Sequence, residues 1–97
     1  MKIPSSIKIG GFTYKVLKDY KFNQANEYAG QADHDLLEMR LSNSNPSGMK
    51  RSREKYEETF VHELLHCVDV VFNDGQLKEE QVSRLSNGLY QVLSQIT

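Results

Sequence analysis

Tryptophan is absent from the 97 residues, cysteine occurs once and proline twice. The single thiol, Cys67, excludes an intramolecular disulfide and fits a reducing compartment. No apolar run approaches the ~20 residues that a bilayer-spanning helix needs. The opening MKIPSSIKIGG has no apolar core of the kind that marks a secretory signal. A cytoplasmic protein with no membrane partner is therefore expected. An excess of either charge is also missing: twelve basic against thirteen acidic residues leave a net charge of -1. That balance makes no electrostatic case for nucleic acid. The one basic cluster, Lys50, Arg51, Arg53 and Lys55, is broken by Glu54 and followed by Glu57 and Glu58, so it reads as the mixed-charge start of a helix. No linker, repeat or low-complexity tract divides the chain, and one domain, residues 1–97, with a small core is expected.

The first part of the chain alternates. Residues 6–10 and 12–18, around Gly10-Gly11, predict a β-hairpin. Residues 19–27 have no period and read as a connection. A second strand pair is predicted at 28–33 and 36–42, turning at Asp33-His34-Asp35, with Leu37, Met39 and Leu41 on one face and Glu38 and Arg40 on the other. The Ser, Asn, Pro and Gly cluster at 42–50 marks a loop. A helical pattern then runs from about Arg51 to Asn73, stopped by Asp74-Gly75. A second helix is predicted over 78–95, with Val82, Leu85, Leu89, Leu93 and Ile96 as its apolar stripe. Strands first and helices after define an α+β domain, here a small antiparallel sheet of about four strands followed by two packed helices.

The chemistry concentrates in TFVHELLHCVD, residues 59–69. On a helix His62 and His66 lie about 40° apart in azimuth and about 6 Å apart along the axis. Two imidazoles so placed can converge on one zinc ion at about 2.0–2.1 Å. Glu63 sits beside that point, where a carboxylate can take a proton from a water activated by the ion. This is why the H-E-x-x-H spacing carries meaning. Phe60, Val61, Leu64, Leu65, Cys67, Val68, Val71 and Phe72 fill one arc of the helix. Lys55, Thr59, His62, His66, Asp69 and Asn73 fill the other, so the histidines belong either to a site or to a solvated polar face.

Catalytic zinc takes three protein ligands and leaves one position open. The acids that open the last helix, Glu79 and Glu80, supply the candidates once Asn73-Asp74-Gly75 folds that helix back. By azimuth Glu79 lies at the margin of the apolar stripe and Glu80 nearly opposite it. Glu79 is thus the better placed and Glu80 the alternative; both also suit the helix macrodipole without any further role. His34 reads as a turn or surface residue, Tyr90 as packing and Cys67 as core. Asp69 either orients an imidazole or is solvated.

ETFVHELLHCVD followed by LKEEQVSRLSNGLYQVL, with YAGQADHDLLEMRLS before them, resembles the small single-domain zincin-type metallopeptidases frequent in phages and prophages. These look like reduced relatives of the gluzincin class and of the peptidases that cleave phage repressors. The resemblance covers roughly residues 28–93. It implies a minimal zincin-like fold, one Zn²⁺ per chain held by His62, His66 and a glutamate of the EEQV segment, and Glu63 as catalytic base. It also implies a peptide or protein substrate lying along the 36–42 strand or its neighbour. The chain departs from the large gluzincins in its shorter spacing from His66 to Glu79. It also has no evident downstream histidine or arginine for the oxyanion. The expected function is zinc-dependent hydrolysis of a peptide bond; the alternative is a non-catalytic, metal-binding interaction protein that keeps the fold.

Overall fold

A computed structural model describes residues 1–22, 28–45 and 47–97. The connection expected over 19–27 and the loop over 42–50 include residues 23–27 and 46, which lie outside the described residues. The elements are β1 (Ser6–Ile9), β2 (Phe12–Leu17), β3 (Gly30–Asp33), β4 (Glu38–Leu41), α1 (Arg53–Phe72) and α2 (Glu79–Leu93). The α+β order of four strands and then two helices is as expected, with element ends shifted by at most two residues.

The sheet itself differs from the expectation. Its order is β1-β2-β4-β3. The two hairpins are antiparallel, but β2 and β4 run parallel, with Val16 opposite Met39. The sheet is therefore mixed, and composition explains why. Met39 and Leu41 of β4 are fully buried, which suits an interior strand. The Gly-Gln-Ala-Asp sequence of β3 tolerates an edge. Placing β4 inside its hairpin sets it beside β2 in the same direction.

One face of the sheet carries Ile9, Tyr14, Val16, Met39 and Leu41, which pack with Phe60, Val61 and Cys67 of α1 into the core. Arg40, on the opposite face, bridges Gln31, Asp33 and Glu38 at 2.7–2.9 Å. Helix α1 starts where Ser52 Oγ accepts from Lys55 N at 3.2 Å, an N-cap that satisfies one orphan donor. At the other end Asp69 ties the turn to α2. Its carboxylate accepts from Asn73 Nδ2 at 2.9 Å and from Leu77 N at 3.3 Å, and its carbonyl accepts from Asn73 N and Gly75 N. Asp69 is buried; it neither orients an imidazole nor sits in solvent, because the interhelical turn uses it.

Helix α2 packs on α1 with a different face from the one its apolar stripe predicts. Val82 and Ser86 are fully buried, whereas Leu85, Leu89 and Ile96 are 50%, 43% and 74% exposed. The packed face is rotated by roughly a quarter turn from the stripe, toward residues that bond to α1. Tyr90 Oη donates to Glu57 Oε1 at 2.8 Å, and Glu79 meets the histidines. On α1, likewise, Thr59 and Asp69 of the polar arc are buried while Val68 and Phe72 of the apolar arc are exposed. Among the described residues no helix is long and apolar enough to cross a membrane.

Strand β3 approaches α1 closely because residue 30 is glycine. A Cβ there would stand 2.7 Å from Thr59 Cγ2 and 3.0 Å from Glu63 Cγ. Gly30→Ala is expected to cost about 1–3 kcal/mol of stability, read from urea unfolding of the metal-free protein. An unchanged midpoint would contradict this close packing.

Candidate metal centre

His62 and His66 emerge from the flank of α1 between β3 and α2, half-buried, with ring centroids 4.9 Å apart. Glu79, in the first turn of α2, reaches across the helix–helix contact. Its Oε1 lies 2.8 Å from His62 Nε2 and its Oε2 lies 2.8 Å from His66 Nε2. The three side chains each offer a ligand atom within 4.8 Å of the others, a group that can hold a metal ion. Glu80, one residue on, is exposed and outside this group. The choice left between the two acids falls geometrically on Glu79.

The donor set fits zinc. Two imidazole nitrogens and one carboxylate oxygen match three positions of a tetrahedral site and leave a fourth open. Ligand atoms about 2.0–2.1 Å from a tetrahedral ion stand about 3.3 Å apart, so the 2.8 Å contacts need to open by only a few tenths of an ångström. The same contacts demand something positive. A ring nitrogen and a carboxylate oxygen at 2.8 Å are both acceptors unless a proton or a cation lies between them. Ser86 bears on this at His62. Its fully buried Oγ donates to Ser83 O at 3.1 Å and sits 3.5 Å from His62 Nδ1. With a metal on Nε2 the ring would carry its proton on Nδ1, and the Ser86 hydroxyl stands where it can accept a hydrogen bond from that N–H.

Two glutamates of α1 are buried, and their surroundings differ. Burial pushes Glu57 up, but the Tyr90 hydroxyl, the Met1 ammonium at 3.2 Å and Arg53 outweigh it and leave the carboxyl below its ordinary value. Among the described residues Glu63 has no such support. Burial first, and then the charge of Glu79, push it from 4.5 up to about 7. An unsupported buried carboxyl poised near neutrality beside a metal-ligand group is the expected signature of a general base.

Adjoining concavities of about 250 and 330 Å³ run along this flank, sharing Tyr28, Gly30, His62, Glu63 and Glu79. The strand beside them is β3, an edge strand, and not β4, which lies inside the sheet. The larger concavity also takes in His34. His34 does occupy the β3–β4 turn as expected, yet it faces the cleft, and burial and then His66 lower its pKa. The residues alone give His34 a place in a turn or at the surface and Tyr28 no role in the site, and they do not single out Ser86. Ser86 falls two turns after Glu79 on the same helix face, a signal that was present; His34 and Tyr28 carry none that is local. Cys67 is fully buried with its thiol pushed up to about 12, so it is the inert core residue expected. Comparison of the chain with protein-family models, curated proteins and solved structures finds no match.

Without metal, Glu63 makes stability depend on pH. Below about 4.5 folded and unfolded chains both hold its proton; between there and about 7 only the folded chain does. Stability then falls as pH rises through this window and levels off above it. Glu63→Gln removes the titration. In chelator, its stability advantage over wild type is expected to grow from pH 5 to pH 8, by on the order of 1–3 kcal/mol, in thermal melts. A gap independent of pH would contradict the unsupported burial of Glu63.

Proposed function

We propose that the protein is a zinc-dependent peptidase, with one Zn²⁺ held by His62, His66 and Glu79 and with Glu63 as its general base. The observation that carries this reading is the meeting of both Nε2 atoms with the two oxygens of one carboxylate at 2.8 Å, beside a buried acid whose pKa lies near 7. Bound there, the ion supplies Lewis acidity, which makes a water acidic and polarises a carbonyl. The remaining steps belong to the chain. Glu63 accepts the proton of the attacking water at its carboxylate and returns it to the departing amine nitrogen. Among the described residues no further strand pairs with the outer edge of β3, and an extended peptide can add there as one. The resemblance to small phage and prophage zincins supports the same assignment.

A second reading, a non-catalytic metal-binding interaction protein, is favoured by the exposed stripe Leu85, Leu89, Val92 and Ile96 on α2. Incubation of the zinc-loaded protein with a mixed peptide library separates the two. Cleavage is expected for wild type and is expected to fall by at least about 10³ in Glu63→Gln with zinc retained. Glu79→Gln is expected to lose zinc affinity by about 10–100-fold or more, and Glu80→Gln to change neither property. Cleavage undiminished in Glu63→Gln would overturn the peptidase reading; zinc retention without any cleavage would favour the second.

A further inference from the structure

The residue left without a role is His34. It lies in the turn between β3 and β4, half-buried, and lines the same concavity as His62, Glu63, His66 and Glu79. It is not part of the group that can hold a metal, so it stands in the same cleft without adding a ligand. Its backbone is held firmly. Asp33 Oδ1 accepts from Asp35 N and Leu36 N at 3.0 and 2.9 Å, Arg40 holds Asp33 Oδ2 at 2.9 Å, and Leu37 closes the turn with φ 56°.

The ring is held as well. His34 Nδ1 lies 3.1 Å from Tyr14 Oη, and the two rings meet edge to face at 6.0 Å. Tyr14 is 1% exposed. Among the described residues Nδ1 is the partner of its hydroxyl. A buried hydroxyl that fails to donate loses the worth of its hydrogen bond. Tyr14 therefore donates to Nδ1, and the neutral imidazole carries its proton on Nε2. Among the described residues Nε2 has no hydrogen-bond partner. The result is a rigid N–H donor in the cleft, fixed in tautomer by a residue of the core.

We propose that His34 is a catalytic residue whose Nε2–H donates to the scissile carbonyl oxygen of a peptide substrate as negative charge develops there, with Tyr14 as its positioning residue. This rests on the peptidase reading and assigns the oxyanion donor that the downstream sequence lacks. As the water oxygen bonds to the carbonyl carbon, the π pair moves onto the carbonyl oxygen. Glu63 takes the water's proton and delivers it to the amine nitrogen as the C–N bond breaks. His34 transfers no proton; it stabilises charge, and a donor fixed in advance costs no reorganisation in the transition state.

Two readouts test this, one of them independent of turnover. In ¹⁵N-histidine NMR of the zinc-loaded protein at neutral pH, His34 is expected as the Nε2–H tautomer, and Tyr14→Phe is expected to mix the two tautomers. An Nδ1–H tautomer in wild type would overturn the proposal. The second readout combines kinetics with binding of N-phosphoryl-leucinamide, whose tetrahedral oxygens imitate the developing charge. His34→Ala is expected to lose about 10²–10³ in kcat, with KM within about threefold and zinc content unchanged. Affinity for the phosphoryl probe is expected to fall in parallel, and His34→Gln, which keeps an N–H donor, to recover part of both. Wild-type cleavage with His34→Ala unaffected would overturn this inference and leave the peptidase reading standing. Loss of zinc from His34→Gln would make His34 a ligand and also overturn it. A zinc-loaded wild type that cuts nothing would end both.

Discussion

Two imidazole nitrogens 2.8 Å from the two oxygens of Glu79 set a constraint that the rest of the molecule serves. Four acceptor atoms cannot share that space without protons or a cation between them. Neutral rings with their protons on Nε2 can each donate to one oxygen, whereas a single dication would meet all three side chains at once and leave one coordination position open. The packing of α2 follows from this contact. The helix turns Val82, Ser86 and Tyr90 inward, carries Glu79 at the exposed margin of that face, and leaves leucines at 85 and 89 half in water. Hydrophobic burial alone would have chosen the other face. Asp69 contributes by locking the turn whose geometry sets the azimuth at which Glu79 arrives.

The second constraint is the uncompensated carboxyl of Glu63. A buried charge without donors is costly, and α1 has the means to compensate one, as it does at Glu57 with Tyr90, the amino terminus and Arg53. Among the described residues no such donors surround Glu63, which sets it apart from Glu57 on the same helix. Gly30 belongs to this arrangement too. By lacking a Cβ it brings the β3 edge against Thr59 and Glu63, which places an edge strand, a buried acid and the metal-ligand group along one cleft.

Much of this was legible in the residues. The period-2 stretches gave all four strands, the i, i+4 histidines gave two members of the group that can hold a metal, and azimuth favoured Glu79 over Glu80. Three things were not legible, for physical reasons. The parallel pairing of β2 and β4 depends on which strand of the second hairpin lies inside, a competition between strands that no single stretch displays. The packed face of α2 was misjudged because polar contacts at Glu79, Ser86 and Tyr90 override an apolar stripe read from hydropathy. His34 was taken for a turn residue, which it is; its cleft-facing ring depends on Tyr14, twenty positions away in sequence and adjacent only in the fold.

Crystals of the wild-type protein grown with Zn²⁺ and measured across the zinc absorption edge test the central claim most directly. The account expects one anomalous peak per chain, bonded to His62 Nε2, His66 Nε2 and one oxygen of Glu79 at about 2.0–2.1 Å, with Glu80 in solvent and Glu63 close by but unbonded. A zinc held elsewhere, or rings turned away from an empty cleft in zinc-saturated crystals, would contradict it.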